Sequence, residues 1–280
     1  MTVNIVIVWE FIKLFGRSVR DFFRDGGMML AGSLSYFSIM AVVPLCLFLM
    51  AVFFYLIGDN NALFAFISAK IVNFFPKAAH AITEELKEAI SYRGVGFFTL
   101  IAYGILSYQL YSSMEYALNV VFKVKERRSF FSHLMISMFI FTLLIIFILI
   151  SFGTSSSIPI LNSLRNRIPG VEIHAVTSFL VKYVVPFLLA FLTIAAFYII
   201  MPKRRIKWSS ALTGALIATV FHELAKHAFT FYVVKFSKLG AIYGSLAAFI
   251  IFLLWAFYSS CIFLIGAEIV HNLEIRRKQR

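Results

Sequence analysis

Residues 242–270 read IYGSLAAFIIFLLWAFYSSCIFLIGAEIV, an apolar run interrupted by a single acidic side chain, Glu268. Wound as an α-helix at about 1.5 Å per residue, such a run is longer than the ~30 Å hydrocarbon core of a bilayer. A helix also satisfies its own backbone N–H and C=O groups, as a segment surrounded by lipid must. Outward from this run the same texture recurs at about 32–58, 95–122, 132–153, 177–201 and 209–234. The whole chain is 61% hydrophobic and 14% charged, with a mean hydropathy of +0.90, well beyond the roughly half-apolar usage of a soluble domain. These runs predict an all-α, polytopic membrane protein of six transmembrane helices, forming one membrane domain over residues 1–280.

Charge placement orients the predicted spans. Sixteen Lys and Arg lie before the first span, in the second and fourth connections and at the tail, against eight in the alternate connections. The excess of basic residues on one side predicts both termini in the cytoplasm. The net charge of +13 is therefore topological rather than a nucleic-acid footprint, since the basic residues sit in short blocks between apolar runs. No removable signal peptide is expected at the N-terminus. Cys46 and Cys261 both fall inside apolar runs, so neither a disulfide nor a metal knuckle is expected.

Ahead of the first span, residues 4–24 place Glu10, Lys13, Arg17, Arg20, Asp21 and Arg24 at three and four spacing, opposite Ile5, Val8, Trp9, Ile12, Phe15, Val19, Phe22 and Phe23. This spacing predicts an amphipathic helix on the membrane surface, basic toward anionic headgroups, with Gly26 and Gly27 turning the chain inward. The connection 59–94 reads as two short helices meeting at Pro76. The connection 154–176, punctuated by Ser, Pro and Gly, reads as an irregular loop.

Ionisable groups inside a span are costly and need a partner or water, which singles out a few positions. The fifth run contains HELAKH, with His222, Glu223 and Lys226, and Thr219 and Thr230 on the same face. Glu223 and Lys226 are spaced to pair within the helix; a structural ion pair and a substrate or proton pathway both fit. The string also looks like a zinc-protease box, but His222 and His227 are five apart and cannot share one metal from a regular helix. The second run carries Tyr108, Ser112, Glu115 and Asn119 in a stripe, readable as a hydrated lining or as interhelical hydrogen-bonding glue. Lys182, near the outer end of the fourth run, fits a snorkelling side chain. Glu268 and His271 fit an interfacial pair beside a basic loop. Pro44 should kink the first span, as a hinge or a packing device. Gly240, Gly244, Gly266 and Ala267 offer small faces for close helix packing.

The stretches DGGMMLAGSLSYFSIMAVVPLCLFL, Asp25–Leu49, and YGSLAAFIIFLLWAFYSSCIFLIGAEIVHNLE, Tyr243–Glu274, resemble the two signature regions of the YihY/BrkB family of bacterial inner-membrane proteins. Ser35, Tyr36 and Pro44 carry the likeness in the first, and Tyr243, Gly244, Trp255, Gly266, Ala267 and Glu268 in the second. The resemblance implies a six-helix envelope protein, linked in some relatives to serum resistance or to passage of lipid-A precursors. Some relatives carry the name ribonuclease BN, but this chain has no soluble domain and no His/Asp metal cluster of the kind a nuclease needs.

The expectation that follows is a translocator of a lipid or amphiphile, not an enzyme. A non-transporting envelope scaffold and an ion-coupled permease for a small solute are the rivals. Glu115, Asn119, Ser112, Tyr108, Glu223, Lys226 and His222 are the candidate pathway residues, and Ser35, Tyr36, Pro44, Tyr243, Gly244, Gly266 and Glu268 the hinge and signature residues. No metal, cofactor or nucleic acid is expected. The expected partners are membrane lipids, with room for a homo-oligomer.

Overall fold

A computed structural model describes residues 2–41, 96–124, 136, 146, 179–236 and 247–279. Those residues are helical or in turns, with no strand among them. The helices are α1 (Thr2–Arg24), α2 (Gly27–Ala41), α3 (Gly96–Val121), α4 (Val185–Ile200), α5 (Trp208–Phe236) and α6 (Ala247–Lys278). The predicted third span apart from residues 136 and 146, the connections 59–94 and 154–176, and Pro44, Cys46, Gly240, Tyr243 and Gly244 lie outside the described residues.

The boundaries of α3 and α5 fall within two residues of the runs read from sequence. α4 differs at its start, where Leu180–Val184 form a π turn ahead of it. Pro186 supplies the reason, because it has no N–H for the carbonyl four residues back and the ladder loosens there. α2 starts at Gly27, earlier than the apolar run suggested. Gly26 adopts φ +72 and its N–H bonds the Phe23 carbonyl, a left-handed residue that stops α1 and releases the chain into α2. α6 continues eight residues beyond the apolar run, to Lys278, with Arg276, Arg277 and Lys278 in its last turn, where basic charge suits the helix C-terminus.

Phe249–Lys278 of α6 is long and apolar enough to cross a membrane, with a mean hydropathy of 2.3, and α2 and α4 are shorter apolar helices. Large apolar side chains stand exposed on successive turns, including Leu188 and Leu192 of α4, Leu212, Leu216, Val220 and Leu224 of α5, and Leu254 of α6. Water would penalise such a surface, whereas lipid tails would not.

Contacts group the described residues into two compact units. The first draws on Met1–Gly26, Ala117–Leu224 and Ile262–Arg280, and the second on Gly27–Tyr116 and Ala225–Cys261. In the second, the Ser33 and Ser113 hydroxyls bond at 2.9 Å and tie α2 to α3. There too the rings of Phe229, Trp255 and Tyr258 meet pairwise at 5.0 to 5.4 Å between centroids, packing the far part of α5 against the start of α6.

The first unit is organised around the second half of α6. From Leu264 to Glu274 every residue is buried except Ile265 and Leu273, which are half-buried. A helix enclosed on all sides needs neighbours on all sides, and α6 has them in α1, α4, α5 and the end of α3. Against α4, the Tyr198 hydroxyl donates to the Phe263 carbonyl at 2.6 Å, and its ring lies 5.1 Å from that of Phe263. Against α5, Gly214 and Gly266 bring the two backbones together: a methyl group placed on Gly266 would meet Ala218 at 2.7 Å and also strike the Tyr198 hydroxyl.

α1 shows why its sequence divides three ways rather than two. At about 100° per residue, Leu14, Ser18 and Phe22 form one stripe, and all three are buried. Trp9, Ile12 and Phe23 form a second, exposed and apolar. Lys13, Arg17, Arg20 and Arg24 form a third, exposed and basic. Asp21, expected among the solvated polar groups, is half-buried between the basic and the buried stripes, paired with Arg17 and reached by a donor from α6.

Candidate functional site

The buried face of α1 and the buried end of α6 meet through polar side chains. Asn272 of α6 donates from Nδ2 to Asp21 Oδ2 at 3.0 Å and to Ser18 Oγ at 3.2 Å. Asp21 as a carboxylate only accepts, which fixes the orientation of the Asn272 amide. Ser18 passes its own proton to the Leu14 carbonyl at 2.9 Å. One turn earlier on α6, Glu268 faces Asp25, and toward the tail Arg276 reaches Glu10 at 2.7 Å. Rising numbers on α6 therefore meet falling numbers on α1, so the two helices run antiparallel. Asp21 and Asp25 are four apart, as are Glu268 and Asn272, so each pair lies on one helix face.

The end of α3 closes the cluster. Val124 N–H bonds the Asn119 carbonyl at 2.8 Å and Lys123 N–H the Val120 carbonyl at 3.1 Å, the double bond of a Schellman cap. Glycine is the usual residue at its left-handed position, yet Lys123 occupies it with φ 57. A side chain there costs on the order of 1 kcal/mol, and here the Lys123 ammonium pairs with the Asp25 carboxylate. Asp21 and Asp25 would repel each other on an isolated helix; Asn272 and Lys123 compensate one each. Beside them the His271 ring packs edge-on to Phe122, centroids 6.0 Å apart.

A second polar knot lies on the α5 side of α6. Ser210 donates to Glu274 Oε1 at 2.5 Å and accepts from Arg277 at 3.2 Å, while Arg277 also reaches Ser209 at 2.5 Å. Ser210 and Glu274 are both buried. Ser210→Ala should leave the Glu274 carboxylate short of a donor in a dry place, at a cost of about 1–3 kcal/mol. Thermal unfolding of the detergent-purified protein should show the loss, and Ser210→Thr should largely restore it; an unchanged midpoint in Ser210→Ala would mean that Glu274 draws its donors elsewhere.

Of the residues singled out by sequence, Glu268 is fully buried and His271 is buried one turn on. Gly266 sits at the close approach of α5 and α6. Asn119 accepts from the Lys203 backbone N–H at 3.2 Å through its side-chain oxygen, which ties the end of α3 to the connection after α4. Glu115 is buried in the second unit with Tyr111, while Tyr108 and Ser112 are half-buried. Ser35 is buried and bonds the Gly32 carbonyl at 2.8 Å, and Tyr36 is exposed. His222, Glu223 and Lys226 are half-buried on α5. Sequence reading did not bring together Ser18, Asp21, Asp25, Lys123 and Asn272. The four-residue spacing of Asp21 with Asp25, and of Glu268 with Asn272, was the signal available. Among the described residues, no three His, Cys, Asp or Glu side chains are arranged to hold a metal ion.

The family described as Virulence factor BrkB matches residues 18–280, which takes in the whole α1–α6 cluster from Ser18 onward. Similar proteins include the UPF0761 membrane protein of Haemophilus influenzae, 29% identical over 94% of this chain and 96% of its own length. The UPF0761 membrane protein of Vibrio vulnificus strain YJ016 is 31% identical over 89% and 79%. That of Aliivibrio fischeri strain MJ11 is 29% identical over 95% and 84%. No solved structure matches. The exposed apolar helix faces, the α6 span and a match over nearly the full length agree: the chain is a membrane protein belonging to the BrkB family.

Proposed function

We propose that this protein lies in the bacterial inner membrane as a six-span domain with both termini in the cytoplasm, and moves or hands over a lipid or other anionic amphiphile. The observation that carries this reading is the three-way division of α1. Its buried stripe is fastened to α6, while an apolar stripe with Trp9 and Ile12 and a basic stripe with Lys13, Arg17, Arg20 and Arg24 remain exposed side by side. Such a pair of faces suits the boundary between acyl chains and anionic headgroups. Glu115 and the half-buried Glu223 then supply polar positions for a headgroup within otherwise apolar helices. No nuclease activity is proposed. The names of the relatives, UPF0761 membrane protein, specify no substrate.

Reconstitution tests the reading. Wild-type protein in liposomes should expose a labelled anionic lipid to a membrane-impermeant quencher faster than empty liposomes do. Glu115→Gln and Glu223→Gln should each slow this tenfold or more, a barrier increase of about 1.4 kcal/mol. Unchanged rates in both variants would remove these carboxylates from the pathway. No translocation by wild type would defeat the transport reading and favour the scaffold.

A further inference from the structure

Around Glu268 the hydrogen-bond donors are spent and the acceptors are not. Neither carboxylate oxygen of Glu268, the side-chain oxygen of Asn272 nor Nδ1 of His271 has a hydrogen-bond partner among the described residues, and all these atoms are buried. Both Asn272 amide donations go to α1, and the Lys123 ammonium is taken by Asp25. Glu268 itself is 0% exposed. Glu268 faces the Asp25 carboxyl, and the cation that acts on it among the described residues, the Lys123 ammonium, is already paired with Asp25. A buried carboxylate compensated so weakly is costly in a folded chain, and it lies one helical turn from an amide oxygen that lacks a partner.

We propose that Glu268 and Asn272, facing Asp25 and Asp21, form a binding site for one monovalent cation, either a proton or an alkali-metal ion. What the pocket lacks is one positive charge without bulk. A larger organic cation would need room that the close packing of Leu264, Ala267 and Phe122 does not offer. A divalent ion would call for the convergent acidic ligand set that the described residues do not form. The charged and titratable groups facing the site are Arg17, Asp21 and Asp25 of α1, Lys123 after α3, Arg204 after α4, and His271 of α6 itself. From Ser210 to Thr219, α5 brings no titratable side chain. Because the site joins α1 to α6, occupancy couples to how firmly α1 is held. Nothing in this depends on lipid movement.

The full-length protein, purified in a neutral detergent, allows a direct test. Thermal unfolding is followed against NaCl, KCl and LiCl, with choline chloride holding the ionic strength, and separately against pH at constant salt. For an alkali-metal site, the folded-to-unfolded ratio should rise tenfold for each tenfold increase in the ion beyond its Kd. For a proton site, the wild type should instead gain tenfold per unit as pH falls across the range in which the site fills, the folded state binding one more proton than the unfolded. Either response should vanish in Glu268→Gln, which keeps the volume and brings its own donor. If that variant does not fold, Glu268→Asp should keep the response but need at least tenfold more of the ion. A wild type indifferent to all three salts, with a pH response matched by Glu268→Gln or unshifted in Glu268→Asp, overturns the proposal and leaves a bridging water as the missing partner. No lipid or transport enters the readout, so this outcome is separate from that of the reconstitution.

Discussion

Gly266→Ala and Gly214→Ala are each expected to destabilise the protein by about 1–3 kcal/mol, the usual cost of forcing a methyl group into a packed interface. The new Cβ at 266 has no free space. Besides meeting Ala218 at 2.7 Å, it strikes the Tyr198 hydroxyl, which is fixed by its hydrogen bond to the Phe263 carbonyl and does not swing away. At 214 the new Cβ meets the Gly266 carbonyl at 2.9 Å and the Val270 side chain. Each intrusion pushes α5 from α6 by the same motion, so the second methyl group costs less than the first, and the double variant should fall short of the sum. Gly16→Ala and Gly32→Ala are the controls. A Cβ there meets nothing within 4 Å among the described residues, and the gain in helix propensity, up to about 1 kcal/mol, should leave those variants as stable as wild type or more so. Denaturation of the purified protein with each substitution gives the comparison. A wild-type midpoint for Gly266→Ala would mean that α5 and α6 do not meet backbone to backbone at this crossing.

How far sequence alone could go is clear from particular residues. α3 and α5 were legible because an apolar run and a helix end together when Pro, Gly or a basic block stops both. α6 runs on past its apolar run because nothing near Glu268 breaks the helix. Whether a polar side chain continues inside the protein is decided by its partner, and the partners of Asn272 lie some 250 positions away, at Ser18 and Asp21. Asp21 illustrates the same point from the other side. By spacing it belonged with Arg17 and Arg24 on a solvated face, and only the Asn272 amide pulls it inward. Lys123 was not legible at all, since its left-handed backbone is a glycine position and its sequence neighbours suggested only another basic residue in a cytoplasmic loop. Gly266 was legible as part of a small-residue face and Glu268 as an ionisable group within an apolar run, and both also carry the family likeness. The physical reasons they matter, a backbone crossing and a buried carboxylate, appear only when α1, α4 and α5 are set around α6.

Asn272→Ala is expected to loosen α1 without unfolding the rest. The substitution removes two donations at once, to Asp21 and to Ser18, and leaves a buried serine oxygen and a half-buried carboxylate without them, about 1–3 kcal/mol in all because Asp21 keeps Arg17 and some solvent. What else holds α1 is modest. The Phe15 and Phe221 rings stack at 5.2 Å, and Leu14 and Phe22 are buried, but the Arg276 to Glu10 pair is largely open to solvent and worth at most about 1 kcal/mol. The hydrogen bonds within α6 run from residue to residue along its own backbone and do not need Asn272. Local opening of α1 should therefore become some ten- to a hundredfold more frequent, a change of about 1.4–2.7 kcal/mol in opening free energy, while α4, α5 and the core of α6 keep wild-type protection. Amide hydrogen exchange resolved by peptide measures this directly, comparing peptides from residues 9–24 with those from 208–224 and 262–274. Uniformly faster exchange would show that the Asn272 contacts hold the whole first unit together. Unchanged exchange in α1 would show that Leu14, Phe15 and Phe22 suffice, and that the polar face between α1 and α6 is kept for the ion rather than for the fold.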